Sequence, residues 1–305
     1  MGRIRSSAKI AVALALAASA VAQEPVFKVD VQLVRLLATV KDNAGATVGA
    51  LKKDDFTVFD NGVKQTISLF ERHTSQPLSV AVLVDISGST GKEMKYQTDS
   101  VHRFLHALLK EGNPDDTASL VTFNWQVQEV VPFTRNLRRF DTELRKLRGE
   151  AGTSLYDAIY LSSERIQERE GRRVFIVVTD GADTVSNKNY HDALRAAQDA
   201  DAVVYGILVM PITNEAGRHI AGEHALTGIS QSTGGRMFTP GLSALDMAFE
   251  EILRDLRTQY LIGFYPKNVP LTKDEFHRLE VRVSQPGLRV LSRTGYYGET
   301  QGSGR

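Results

Sequence analysis

From about residue 78 the hydrophobic pattern reads as strands alternating with helices. Residues 78–84 (LSVAVLV) and 174–179 (VFIVVT) are continuous apolar runs, as in strands covered on both faces. Between them Val101, Phe104, Leu105 and Leu108 fall at i, i+3, i+4 and i+7 and predict a helix that stops at Gly112-Asn113-Pro114. Residues 117–123 and 127–131 predict two strands joined by a tight connection at Asn124-Trp125. A helix near 137–147 leads into the loop 148–154 (RGEAGTS), and Leu155, Ile159, Ser162 and Ile166 mark the next helix. A helix about 190–200, a strand 202–208, a helix near 222–232, a short strand 236–238 and an amphipathic helix from about 243 to 256 complete the series. Such alternation predicts a doubly wound, mostly parallel, Rossmann-like α/β sheet with helices on both faces.

Strand character also flanks this region. Val29, Val31 and Leu33 alternate with polar residues, as do Val63, Ile67 and Leu69; turns stand at 42–45 (DNAG) and 60–62 (DNG), the latter a hairpin signal. After the last helix come residues 259–265 (QYLIGFY), 279–283 (LEVRV) and 288–291 (LRVL). Neither set has enough strands to be stable alone, and the ends of an inserted domain usually lie close together. We therefore expect N- and C-terminal strands to pair as a small β domain (23–75 with 257–298) into which an α/β domain (76–256) is inserted, followed by a polar tail at 299–305.

The N-terminus changes the picture of compartment. Arg3, Arg5 and Lys9 precede the apolar run 10–18 (IAVALALAA), and Ala20-Val21-Ala22 forms an A-x-A cleavage site. Residues 1–22 read as a secretion signal, too short to span a bilayer, which needs about 20 apolar residues. The opening MGRIRS also fits a myristoylation pattern, which the secretion signal explains better. The mature chain is expected to be exported, to a periplasm or the cell exterior, with no stable membrane span. With 37 Lys and Arg against 36 Asp and Glu, and no long basic run, nothing points to nucleic acid. The absence of cysteine excludes a disulfide framework, a thiolate metal site and a cysteine nucleophile.

The chemistry lies in three polar loops at strand or helix boundaries: Asp85-x-Ser87-x-Ser89, Gly152-Thr153-Ser154 and Thr179-Asp180-Gly181. The first and third follow the two most apolar strands, which are expected to be central and adjacent. Ligands in open α/β sheets bind beyond the carboxyl ends of such strands. Asp85 and Asp180 would then face each other and repel unless a cation sits between them. With the hydroxyls of Ser87, Ser89 and Thr153 they make an all-oxygen set suited to Mg²⁺, Mn²⁺ or Ca²⁺. Each loop also has a plain structural reading. Ser87 or Ser89 can cap the following helix, Asp180-Gly181 can be a turn with Asp183 a second acid, and Ser154-x-x-Asp157 is an acceptable capping box that leaves Thr153 free.

Together these motifs resemble a von Willebrand factor type A domain with a metal-ion-dependent adhesion site. Residues 85–89 (DISGS) match the family's first motif, 152–158 (GTSLYDA) its threonine loop and 178–181 (VTDG) its second acidic loop. The resemblance implies that Ser87, Ser89 and Thr153 contact Mg²⁺ directly or nearly so, and that Asp85 and Asp180 act largely through water. The metal then stays electron-poor and attracts an acidic side chain from a protein partner. It also implies an antiparallel edge strand, which suits the connection between 123 and 127. Residues 51–62, 260–265 and 293–297 resemble the flanks of a secreted bacterial group carrying this domain. Thr90-Gly91 departs from the hydrophobic residue common there and leaves the oxygen donors in place.

His102 and His106 sit at i, i+4 but lack the glutamate of H-E-x-x-H, and 219–224 (HIAGEH) is one residue too long for an inverted zinc-protease motif. These histidines read as surface or packing residues, and Trp125, beside the loops, as a core residue before a partner-binding one. Three functions follow. A binding module without catalysis fits best. A Mg²⁺-dependent phosphatase-like hydrolase would use Asp85 as nucleophile, but Ser87 stands where haloacid dehalogenase-type phosphatases have a second aspartate. A structural domain with a purely stabilising metal is the third.

Overall fold

The structure, a computed structural model, describes residues 33–72, 75–88, 94–149, 151–180, 182–209, 220–241, 244–270, 272 and 274–298. Residues 1–22, read above as a secretion signal, Val29, Val31, Ser89, Thr90-Gly91, Gly181, His219 and residues 299–305 lie outside these residues.

Four strands come first: β1 Val34–Lys41, β2 Phe56–Asp60, β3 Val63–Gln65 and β4 Ile67–Arg72. The α/β region follows as β5 Leu78–Asp85, α1 Met94–Glu111, β6 Thr117–Phe123, β7 Val127–Thr134, α2 Leu137–Leu144, α3 Leu155–Ile166, β8 Arg172–Thr179, α4 Tyr190–Asp199, β9 Ala202–Leu208, α5 Ile220–Ser232, β10 Met237–Phe238 and α6 Leu245–Arg257. The chain ends in β11 Tyr260–Phe264, β12 Phe276–Val283, β13 Arg289–Ser292 and β14 Gly295–Tyr297.

The central sheet runs β10-β9-β8-β5-β6-β7, parallel except for β7, which is antiparallel to β6. Every residue of β5 is buried, as its unbroken apolar run requires. Alternation along that strand splits the core in two. Val80, Val82 and Val84 pack with α1 (Phe104, Leu105), α2 (Phe140) and α6 (Phe249, Ile252). Ala81 and Leu83 pack on the opposite face with α3 (Leu155, Ile159) and α4 (Ala193, Ala197). β7 carries Pro132, which an edge strand tolerates because one side of its backbone needs no partner.

The strands before and after the α/β region interleave. One sheet runs β13-β1-β11-β4, so that Leu36 of β1 pairs with Ile262 of β11; the other runs β14-β12-β2-β3. Val34, Leu36 and Val40 of the first share one core with Phe56, Val58 and Leu279 of the second. Tyr260 anchors that core: its hydroxyl donates to the Val48 carbonyl (2.8 Å) and accepts the Leu51 N–H (3.0 Å). β2 and β3 form the hairpin that Asp60-Asn61-Gly62 predicts, with Asn61 and Gly62 at φ 47° and 80°, both left-handed as the tight turn demands. β14, three residues long, is too short for a periodic signal.

The α/β region enters and leaves at one place. Buried Arg172 donates to the carbonyl of Gln76, just before β5, and to that of Leu256 at the end of α6. Nearby, fully buried Asp255 of α6 accepts from Lys41 of β1, from Thr47 Oγ1 (2.9 Å) and from Arg236 Nε (3.1 Å). Among the described residues no helix is long and apolar enough to cross a membrane.

Candidate functional site

The chain passes from β5 to β6 on one side and later places β8, β9 and β10 on the other, so the strand order reverses between β5 and β8. In open α/β sheets such a reversal at the carboxyl ends of the strands is where ligands bind. Asp85 is the last residue of β5, Thr179 is the last of β8, and Asp180 follows it.

Asp85 is fully buried. Its Oδ1 accepts the Ser87 N–H (2.8 Å) and its Oδ2 accepts the Thr179 hydroxyl (2.6 Å). Burial pushes the carboxyl up to about 6; the hydrogen bonds from Thr179 and Ser87 oppose this, and the nearby charge of Asp180 adds to it. A dication at the loop tips would act in the opposite sense, so the carboxylate is suited to one. Ser87 is buried and Asp180 half-buried; Ser89 belongs to the residues not described.

Thr153 reaches the same edge by another route. Gly152 has φ +83°, and a Cβ there would stand 3.1 Å from Cβ of Trp125, so glycine lets the loop cross the β6–β7 connection. Thr153 is then stitched to the loop after β8. Its N–H donates to Thr184 Oγ1 (2.9 Å), and its carbonyl accepts the N–H groups of Thr184 (2.8 Å) and Val185 (3.3 Å). That stitching uses the main chain of Thr153 and not its hydroxyl.

Two local expectations are corrected. Ser154 precedes α3 but makes no capping bond, and its buried Oγ has no hydrogen-bond partner among the described residues. Its backbone (φ −104°, ψ 61°) lies outside the extended geometry that turns a cap hydroxyl toward the helix amides. The acceptors come from the loop after β8 instead: Tyr156 N–H donates to Asp183 Oδ1 (3.2 Å) and Asp157 N–H to Ser186 Oγ (3.0 Å). Asp157, rather than completing a box with Ser154, accepts the N–H groups of Asn187 (3.0 Å) and Lys188 (2.8 Å). Asp183 is thus a loop-to-helix clasp, and only the spacing Asp183-x-x-Ser186 hints at it.

Trp125 is not in the core. It is 60% exposed at the tip of the β6–β7 connection. Asn124 closes the tight turn, its side chain accepting the Gln126 N–H (2.8 Å), and the Trp125 main chain lies beside Gly152.

Comparison with known proteins agrees with this architecture. Residues 80–182, about a third of the chain, match the family model of the von Willebrand factor type A domain. The solved structure of a von Willebrand factor type A protein from Catenulispora acidiphila is 9% identical with a TM-score of 0.50, and the match covers 88% of this chain and 75% of that one. The von Willebrand factor domain of the type V pilus tip protein Mfa5 from Porphyromonas gingivalis matches at 13% identity and TM-score 0.47, covering 59% of this chain and 94% of that one. A conserved hypothetical protein, BatB, from Bacteroides thetaiotaomicron matches at 19% identity and TM-score 0.46, over 59% and 100% of the two chains. No curated protein matches the sequence. The α/β region has the von Willebrand factor type A fold, accompanied by additional antiparallel sheets.

Proposed function

We propose that this chain is an exported, non-catalytic binding module. Asp85, Ser87, Ser89, Thr153 and Asp180 hold a divalent cation, Mg²⁺ first and Mn²⁺ or Ca²⁺ as alternatives, and that cation captures an acidic side chain of a protein partner. The observation that carries the reading is Asp85: a fully buried carboxylate at the strand-order reversal, pushed up to about 6 by burial and by Asp180. The donors are all oxygen, which fits a hard cation and not zinc or copper. When bound, such an ion supplies a Lewis-acidic position for an outside carboxylate. The chain's own work is positioning: Thr179 and the Ser87 amide fix the Asp85 carboxylate, and the Thr153–Thr184 stitching fixes the second loop. Exposed Trp125 offers an aromatic rim to the partner. In this reading residues 76–256 are the binding domain, and 23–75 with 257–298 form the β domain that carries it. The secretion signal at 1–22 supports export.

The hydrolase reading has less support. A nucleophile must present an oxygen to its substrate, whereas both oxygens of Asp85 accept hydrogen bonds beneath the surface.

Thermal unfolding of residues 23–305 in EDTA, Mg²⁺, Mn²⁺ or Ca²⁺ tests the proposal beside Asp85→Ala. At about a thousandfold excess over Kd, bound metal adds about 4 kcal/mol. That shift should appear in the native chain, vanish in Asp85→Ala and accompany metal-dependent capture of a partner. No shift with any cation removes the metal reading. A shift with no partner capture leaves a stabilising ion only.

A further inference from the structure

A second constellation of different chemistry lies on the helical face formed by α1 and α2. His102 and His106, four residues apart on α1, share one side of the helix, with ring centroids 4.2 Å apart. Asp141 of α2 faces them: its Oδ1 is 3.0 Å from His102 Nε2 and 3.5 Å from His106 Nε2. The three donor atoms lie within 4.8 Å of one another. Despite these approaches, Asp141 Oδ1 and His106 Nε2 are both shielded from solvent with no hydrogen-bond partner among the described residues. Buried polar atoms are rarely left so, and a carboxylate oxygen and an unprotonated imidazole nitrogen, both electron-pair donors, would both be satisfied by a cation between them.

We propose that His102, His106 and Asp141 form a transition-metal site of the zinc class that clamps α2 to α1. Two imidazoles and one carboxylate are the donors such borderline ions take, whereas Mg²⁺ and Ca²⁺ require oxygen throughout. Tetrahedral zinc with donors at about 2.0–2.2 Å holds neighbouring donor atoms about 3.3–3.6 Å apart; the His106 separation of 3.5 Å falls in that range and the His102 separation of 3.0 Å is slightly short of it. Three protein ligands leave a fourth position for water or an outside ligand. The site is not a protease centre. The residue after His102 is Arg103, whose Nε is committed to Asp246 of α6 at 3.0 Å, so the metal's role here is to fasten two helices. The site is separate in residues and in metal preference from the oxygen donors at the sheet edge, and it stands or falls without them.

The test is calorimetric titration of the EDTA-stripped, dialysed chain with ZnCl₂ in excess Mg²⁺, which occupies any oxygen site. One zinc should bind per chain and raise the thermal midpoint. Changes outside the ligand shell alone weaken metal affinity about 10–100-fold, so His106→Ala and Asp141→Ala should each weaken binding by at least about 100-fold. Both positions are partly exposed on helices, and unchanged melting of the variants in EDTA will establish that they fold. Binding should also fade in acid, where protons compete with the metal for its ligands. Absence of zinc binding in the native chain, or native affinity in both variants, overturns the proposal: the three residues are then an ion-pair cluster, or zinc sits on other histidines.

Discussion

Asp85 and Asp255 are both completely buried aspartates, yet the chain treats them in opposite ways. Asp255, at the seam between the antiparallel sheets and the α/β region, receives Lys41 and the Thr47 hydroxyl on Oδ1 and Arg236 on Oδ2. Asp85, at the carboxyl edge of the central sheet, receives an amide and a hydroxyl and has Asp180 beside it. Burial alone therefore says little about the purpose of a charge. An acid matched by basic side chains from two regions joins them. One whose burial and like-charged neighbour outweigh the dipoles it receives resists ionisation, and in the proposed reading a cation relieves it.

The largest effect should come from breaking the matched acid. Asp255→Ala leaves Lys41 and Arg236 facing each other across the seam, Lys41 with little access to water. Removing one partner of a buried ion pair costs about 3–5 kcal/mol. Urea denaturation of the variant should show a loss in that range, against a far smaller one for an exposed pair such as Lys146–Glu143. A loss under about 1 kcal/mol would mean that the apolar core of the sheets, and not this network, holds the seam.

The next effect has the opposite sign. In the unfolded chain Asp85 ionises near 3.8, whereas in the folded chain it keeps its proton up to about 6. A raised carboxyl favours folding only where it stays protonated: nothing is lost below the unfolded value, the penalty grows between the two, and it is complete above the folded one. About two pH units correspond to about 3 kcal/mol. In EDTA, the stability of the native chain relative to Asp85→Asn should therefore fall by up to that amount as pH rises from below 4 to above 6. Added Mg²⁺ should reduce the fall in the native chain alone. A stability difference independent of pH would show that Asp85 titrates normally, and the contrast with Asp255 would lose its electrostatic basis.

Much of this contrast could be read from the sequence, but unevenly. Strands β6 and β9 lie at residues 117–123 and 202–208 as their apolar runs predict, and β5 and β8 stand side by side, because runs buried on both faces belong at the centre of a parallel sheet. The oxygen-bearing loops follow from those strand ends. What sequence spacing misread depends on partners far along the chain. The amides of α3 find Asp183 and Ser186, although Ser154 stands at the capping position. His102 and His106, read as surface or packing residues, gain a third neighbour only when α2 brings Asp141 to them. The pairing of Asp255 with Lys41 joins residues 214 positions apart and leaves no local trace.

Trp125 gives the smallest effect on stability and the sharpest separation of partner from ion. At 60% exposure its side chain removes little surface from water, so Trp125→Ala should change unfolding free energy by no more than about 0.5 kcal/mol. The metal-dependent thermal shift should persist, because Trp125 donates nothing to the oxygen set. Partner capture should weaken by about 2 kcal/mol, as when an aromatic anchor that the partner buries is truncated. The backbone of Trp125 borders Gly152, so one outcome would redraw this division. If Trp125→Ala abolished the Mg²⁺ shift while the fold stayed intact, the indole would be a brace for the Thr153 loop, and the rim facing the partner would have to be sought among other residues of that edge.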